Sequence, residues 1–222
     1  MNRTKIEWTD YSWNPITGCK HGCWYCYGKK ITQRFKKIFP NGFEPTFHPE
    51  RLKEPWKLEK PSKIFVCSIA DLFASWTPKS WRDAVLDSIF KCQVKHTFQL
   101  LTKNPERIPP IHFPNNVWIG TTVSTQDEVW RIDELRKEAF ANILFVSFEP
   151  LLGRIKPDLN GIQWVIIGKL TGSKKVKLDS QWVWKIVNYC HDLDIPVFMK
   201  NNLCPPFEKS ELIQQFPEAF GG

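Results

Sequence analysis

The chain has 222 residues, of which 42% are hydrophobic and 24% are charged, and its formal net charge at pH 7 is +8. This composition excludes a disordered chain and a coiled coil, and the length allows a sizeable core without disulfides. Since the sequence has no run of 18 apolar residues and no signal-peptide core, we expect a cytoplasmic protein that does not associate with membranes. Without repeats or a long linker, the simplest expectation is a single domain over residues 1–222.

Three cysteines lie within eight residues near the start of the chain, in the sequence CKHGCWYC at 19–26. In a reducing compartment, cysteines packed this closely are better explained by metal binding than by disulfides. Iron–sulfur clusters normally take four thiolates, so three leave one iron open for an exogenous ligand. The alternative is a structural zinc site in which His21 joins Cys19, Cys23 and Cys26, although this spacing is tighter than in usual zinc fingers.

A helix over about 27–39 is predicted after the cysteines, and short apolar runs then alternate with amphipathic segments. The runs predict six strands, at 63–68, 97–103, 116–123, 143–150, 164–168 and 196–200. Further helices are predicted at 77–92, 124–139 and 179–193, with start signals at Thr77 before Pro78, at Ser124 with Asp127, and at Asp179 or Ser180. Because most runs are continuously apolar, they predict parallel strands in βαβ units, in either a doubly wound sheet or a barrel.

Polar side chains follow the C-terminal ends of these runs, where α/β folds place their sites. They are Ser68, Asp71, Thr102, Lys103, Thr121, Thr122, Glu149 and Lys200. The alternative for each is structural: a helix start for Asp71, a salt bridge for Glu149, or a solvated loop for either lysine. The lysine-rich stretches GKKITQRFKKIF and GSKKVKLD are equally compatible with a solvated surface and with binding to a phosphate backbone.

The spacing CxxxCxxC, with aromatic Tyr25 before its last cysteine, resembles the [4Fe-4S] motif of the radical S-adenosylmethionine superfamily. Other stretches resemble a radical-S-adenosylmethionine-like family of phages and prokaryotes that is classed as a domain of unknown function. They are KIEWTDYSWNPITGC, FVCSIADLF, LLTKNPERI, NVWIGTTV, FVSFEPLLG and WVIIG, between residues 5 and 168. After WVIIG the sequence KLTGSKK departs from that family's pattern.

The resemblance implies an α/β fold, a partial (β/α) TIM-like barrel of about six parallel strands, with a [4Fe-4S] cluster on Cys19, Cys23 and Cys26. It implies an enzyme that cleaves S-adenosyl-L-methionine reductively to a 5′-deoxyadenosyl radical, which abstracts hydrogen from a substrate. The implied cofactor-binding residues are Tyr25 near the adenine, Ser68 and Asp71 at the amino group, Thr121, Thr122 and Ser124 at the ribose or carboxylate, and Glu149 at the ribose hydroxyls. The implied catalytic side chains are Lys103 and Lys200, at the barrel mouth.

The partners and the competing functions follow from the same features. The resemblance implies an electron donor of the flavodoxin or ferredoxin type, and the lysines and tryptophans around the cysteines favour a nucleic acid or nucleotide substrate. Trp8, Trp13 and Trp24 are candidate shields of the cluster, with core packing as the alternative. A zinc-stabilised nucleic-acid-binding module stays open, as does an iron–sulfur electron carrier completed by Cys67 or Cys204.

Overall fold

The computed structural model describes residues 1–171 and 176–218. The chain divides into two compact units, Met1–Thr102 and Lys103–Gly222. Both are mixed α/β units built on a largely parallel sheet, whereas the single domain over residues 1–222 stays a prediction. No helix in the described part of the chain combines the length and apolar character needed to cross a bilayer.

The first unit has one main sheet in the order β1-β2-β5-β6, and a separate antiparallel pair of β3 and β4. Its elements are β1 (Asn2–Arg3), β2 (Tyr11–Trp13), β3 (Ile16–Thr17), α1 (Tyr27–Arg34), β4 (Thr46–Phe47), β5 (Lys63–Val66), α2 (Lys79–Phe90) and β6 (Thr97–Thr102). Within this main sheet, strands β2, β5 and β6 are parallel to one another, and β1 runs antiparallel to β2. Trp13 and Phe98 are fully buried in this unit's core.

The second unit contains a wholly parallel sheet in the order β7-β8-β9-β10. Its elements are β7 (Val117–Thr122), α3 (Trp130–Glu138), β8 (Ile143–Phe148), β9 (Trp164–Ile167), α4 (Ser180–Asp192) and β10 (Val197–Met199). Every residue of the four strands is buried, as predicted for parallel strands covered on both faces. The stretch KLTGSKK includes residues 172–175, which lie outside the described residues.

All six predicted strands are confirmed, and both sheets are parallel where the sequence predicted parallel strands. The sequence did not predict β1 to β4, because two or three residues are too few to show a periodicity. The described residues of neither unit form a closed barrel by themselves. The radical-S-adenosylmethionine type of partial barrel therefore stays a prediction.

The predicted helix starts are confirmed in one case and wrong in two. Asp179 caps α4 by accepting from the Gln181 N–H at 2.9 Å. Thr77 does not cap α2, because its hydroxyl donates instead to the Asp71 carbonyl. Near α3 the reciprocal box of Ser124 and Asp127 does not form, because the carboxylate that accepts from the Ser124 N–H is that of Glu128, at 2.6 Å.

A buried histidine in the first unit predicts a loss of stability in mild acid. His96 is fully buried; its Nδ1 accepts from the Ser62 N–H and its Nε2–H donates to the Pro55 carbonyl, which fixes the neutral ring. Burial lowers its pKa below the ordinary value of 6.5. As the pH falls, this histidine therefore takes up its proton in the unfolded chain before it does so in the folded chain. The contribution of neutral His96 to the free energy of unfolding is complete above pH 6.5 and declines as the pH falls below that value. We expect the melting temperature to drop between pH 7.5 and 5.5, and to drop less in His96→Gln; an equal drop in both proteins would contradict this assignment.

Candidate functional site

The loop that carries the three cysteines is docked on the turn that follows β5. We call residues 18–27 the cysteine loop and residues 67–71 the β5 turn. The Gly18 N–H donates to the Ile69 carbonyl at 3.1 Å, and the Tyr27 hydroxyl donates to the Ser68 carbonyl at 2.5 Å. The two ends of the cysteine loop are thus fixed to one short stretch of backbone.

The β5 turn is itself held in an unusual conformation. Cys67 has a φ of 56°, in the left-handed region that favours glycine, and its N–H donates to the Trp13 carbonyl at 2.8 Å. Asn14 Oδ1 accepts from the Ser68 hydroxyl at 3.2 Å and from the Ile69 N–H at 3.3 Å. Asn14 therefore links the end of β2 to the β5 turn and orients the carbonyls on which the cysteine loop rests.

A buried carboxylate connects the middle of the cysteine loop to this frame. Asp71 is 4% exposed; its Oδ2 accepts from His21 Nε2 at 2.8 Å, and its Oδ1 accepts from the Thr102 hydroxyl at 2.7 Å and the Phe73 N–H at 3.1 Å. The ring of Trp76 packs edge-on against His21, with ring centroids 4.8 Å apart. Both oxygens of Asp71 thus serve to hold the loop and the adjoining strand end.

The opposite side of the cysteine loop lies against the backbone of residues 43–44. The Cys19 N–H donates to the Phe43 carbonyl at 3.1 Å, and Lys20 forms an exposed ion pair with Glu44 at 3.2 Å. Gly18 has a φ of +86°, and a Cβ built there would lie 2.2 Å from the Glu44 carbonyl oxygen. Only glycine lets the loop enter this space between two backbones.

Replacing Gly18 by alanine tests this close approach. We expect Gly18→Ala to lower the free energy of unfolding by about 3 kcal/mol, because it combines a left-handed conformation with a collision against backbone atoms. Gly42→Ala is the matched control: its φ is +60°, but no atom lies within 4 Å of the added Cβ, so we expect a loss of about 1 kcal/mol. Urea unfolding measures both, and equal losses in the two variants would contradict the collision.

The three cysteines of the loop are free and half-buried. Burial, offset in part by the His21 N–H, raises the pKa of Cys19 to about 12, so a metal that binds there has to displace its proton. Cys26 sits at the N-cap of α1, where its sulfur accepts from the Lys29 N–H at 3.5 Å. Cys67 is 3% exposed, and burial raises its pKa to about 12 as well.

The donor set fits an iron–sulfur cluster in its chemistry. Three free thiols lie on a single short loop whose ends and middle are anchored by hydrogen bonds. Iron–sulfur clusters take soft sulfur ligands of this kind. Within residues 1–171 and 176–218, no three His, Cys, Asp or Glu side chains converge where a metal ion would sit. A metal on this loop therefore requires the cysteine side chains to turn toward one another.

In the second unit, the ion pair of Glu149 and Lys200 joins the ends of β8 and β10. The Lys200 Nζ donates to a Glu149 carboxylate oxygen, and both side chains are largely buried. Gly168, at the end of β9, leaves room for them, since a Cβ there would lie 3.1 Å from Lys200 and 3.2 Å from Glu149. The structure thus brings together two of the predicted site residues, as partners of each other.

A second polar group lies at the end of β7. The Thr122 carbonyl accepts from Arg131 at 3.0 Å, and Arg131 forms an ion pair with Glu128 at 2.9 Å. Burial would raise the pKa of Glu128, but the Ser124 N–H and the charges of Lys103 and Arg131 outweigh it, so the pKa is lowered. Glu128 is therefore held as a carboxylate in this group.

The predicted site residues fall in both units. The first unit holds Cys19, Cys23, Cys26, Tyr25, Ser68 and Asp71; the second holds Lys103, Thr121, Thr122, Ser124, Glu149 and Lys200. The predicted metal, cofactor and catalytic roles of these residues stay predictions. Of the candidate shields, Trp8 and Trp13 lie in the core, whereas Trp24 is 52% exposed.

Sequence reasoning missed Asn14 and Tyr27 as residues that fix the cysteine loop in place, and it placed Thr102 only among the polar residues at strand ends. Asn14, Thr102 and Tyr27 anchor it or its supports through contacts over 31 to 55 residues. Position was the only signal for two of them, since Asn14 stands between Trp13 and Pro15 just before the cysteine motif, and Thr102 ends a predicted strand. The sequence offers His21 as an alternative zinc ligand, whereas in the structure it is the partner of the buried Asp71 carboxylate.

The comparisons with known proteins place the chain among proteins whose role is undefined. A family described as "Protein of unknown function (DUF5131)" matches residues 3–206, well over half of the chain. No curated protein and no solved structure matches it.

Proposed function

We propose that this chain, which belongs to the family of proteins of unknown function DUF5131, is a radical S-adenosylmethionine enzyme. The observation that carries the proposal is the set of three free thiols on one anchored loop, next to the C-terminal end of a parallel strand. Three local thiols leave one iron of a [4Fe-4S] cluster without a protein ligand, which is the position that a small chelating cofactor takes.

The proposed cluster ligands are Cys19, Cys23 and Cys26. A reduced cluster held by these three thiols would supply the one electron for the reductive cleavage of S-adenosylmethionine to methionine and a 5′-deoxyadenosyl radical. The protein supplies placement and exclusion of water. The β5 turn sets the orientation of the loop through Ser68, Ile69 and Asp71.

Apart from Asp71, the proposed cofactor contacts are those that the resemblance implies, with Tyr25 and Ser68 in the first unit. In the first unit, Tyr25 lies within the cysteine loop and is half-buried against Trp24, and Asp71 already has three hydrogen-bond donors. We therefore propose that Asp71 acts on the cofactor through the position of the loop. Thr121, Thr122, Ser124 and Glu149 remain proposed contacts, and Lys103 and Lys200 proposed catalytic groups, with a nucleic acid or nucleotide as substrate.

One experiment separates this proposal from its rivals: anaerobic reconstitution with iron and sulfide, metal analysis, and an assay for 5′-deoxyadenosine after addition of dithionite and S-adenosylmethionine. We expect brown protein with about four irons per chain and formation of 5′-deoxyadenosine. One colourless zinc per chain would assign the loop to a zinc-stabilised module. A cluster that cleaves no cofactor would leave an electron carrier.

A further inference from the structure

The segment around α1 contains basic residues and no acidic ones. No Asp or Glu occurs between residues 11 and 43, whereas six cations do: Lys20, Lys29, Lys30, Arg34, Lys36 and Lys37. Lys20 pairs with Glu44 at 3.2 Å. The other five have no carboxylate within 4.0 Å among residues 1–171 and 176–218. Their charge is therefore available to an external anion.

Large apolar side chains are exposed among these cations. Trp24 is 52% exposed, Tyr27 49%, Phe35 44% and Ile38 59%, and the Arg34 guanidinium lies 5.4 Å from the centre of the Phe35 ring. Single exposed aromatics are ordinary on protein surfaces, but three within twelve residues of an acid-free segment are a local concentration of exposed rings. We call this set of cations and rings the α1 surface.

The packing of α1 explains why these side chains face outward. The helix buries only Gly28 and Thr32, and a Cβ on Gly28 would lie 3.2 Å from Phe43 and 3.3 Å from Ile69. The helix is thus attached through small side chains and through the Tyr27 hydroxyl, which donates to the Ser68 carbonyl. Its basic residues are left exposed, as are Phe35 and Ile38, which follow the helix.

We propose that the α1 surface binds single-stranded nucleic acid. Unpaired bases offer flat faces that stack on exposed rings, while a row of lysines and arginines follows the phosphates. A duplex keeps its base faces stacked inside, so it uses the cations but not the rings. This inference rests on the proposed enzyme function in one respect, that the bound strand is the enzyme's substrate. The binding of the strand to the α1 surface does not require the cluster.

Fluorescence anisotropy with labelled 20-nucleotide oligo(dT) and oligo(U), and with a 20-base-pair duplex, tests the proposal on the full chain at several salt concentrations. We expect both single strands to bind more tightly than the duplex, and binding to weaken linearly in log–log form with salt. In the double variant Lys36→Ala/Lys37→Ala we expect the single-strand salt slope to fall by about 1.4. Lys57→Ala/Lys60→Ala changes the net charge equally at exposed positions elsewhere and should leave the slope unchanged.

A ring variant tests stacking separately from charge. We expect Phe35→Ala to weaken single-strand binding at least about fivefold and to leave duplex binding unchanged. Phe90→Ala, which removes a ring of similar exposure at the end of α2, should have no effect. Circular dichroism confirms that each variant is folded.

Each contrary result has a defined meaning. An equal fall of the salt slope in both lysine double variants would mean that only net charge matters, and it would overturn the proposal. Tighter binding of the duplex than of the single strands would overturn it as well. If the α1 variants bind oligonucleotides normally but are reduced more slowly by an acidic flavoprotein, the surface belongs to a protein partner instead. Because binding is measured on protein without cluster, and cofactor cleavage without oligonucleotide, failure of one proposal is distinguishable from failure of the other.

Discussion

Replacing Cys23 by alanine is expected to abolish the reductive cleavage of S-adenosylmethionine and to remove most of the reconstituted iron. Cys23 is the middle one of the three loop thiols, and a cluster that loses one of three ligands has two open irons and no defined orientation. The measurements are iron per chain after anaerobic reconstitution and 5′-deoxyadenosine formed after reduction. Because Cys23 is half-buried in a loop, its truncation should change the stability of the metal-free chain little.

Cys92→Ala is the matched control, since Cys92 is also a free, half-buried cysteine but lies just after α2 and outside the motif. It should retain both the iron and the cleavage activity. Normal cleavage by Cys23→Ala would refute the ligand assignment. Loss of zinc rather than iron from the same variant would support the structural zinc site.

The second large effect is expected at Asp71, whose truncation to alanine should lower the free energy of unfolding by about 3 kcal/mol. Alanine removes the acceptors of three donors, the His21 ring, the Thr102 hydroxyl and the Phe73 N–H, in a place that is almost closed to water. Buried donors without acceptors are costly. Asp71→Asn should lose less, because the amide oxygen keeps two of these donors and the neutral His21 ring can accept from the amide nitrogen.

Urea unfolding measures this loss, and hydrogen exchange of the amides at 19–26 measures whether the cysteine loop is released. Asp83→Ala is the control, since Asp83 lies on the surface of α2 and pairs with Lys79 and Arg82; its effect should stay within about 0.5 kcal/mol. If Asp71 served only to contact a cofactor, Asp71→Ala would unfold like the wild type and exchange would be unchanged.

Cys23 and Asp71 have different roles in the same site. Cys23 tests what the loop binds, whereas Asp71 tests what holds the loop. A variant such as Asp71→Asn that retains iron but shows faster exchange at 19–26 would separate placement from ligation. Readouts of stability and exchange remain informative even where the metal chemistry is absent.

The predictability of the fold followed the strength of the local pattern. The continuously apolar runs that became β5 to β10 are visible in sequence because both faces of a parallel strand are buried. The three residues of β2 carry no such pattern, and their strand exists because Tyr11 to Trp13 pair in register with Ile64 to Val66. The helix start at Asp179 was predictable, since a cap is a contact over two residues. The start near Thr77 was not, because the Asp71 carbonyl six residues away takes that hydroxyl.

By itself the sequence determined the six strands β5 to β10, the four helices and the grouping of three thiols on one loop, because the pattern of each lies within a few neighbouring residues. Only the tertiary structure decided how that loop is held. The contacts of His21 with Asp71, of Tyr27 with Ser68 and of Gly18 with the backbone at 43–44 join residues 25 to 50 positions apart. Such contacts depend on how strands and turns pack in space. Because the partners are far apart in the sequence, they produce no periodic pattern or fixed spacing that could be recognised in the sequence.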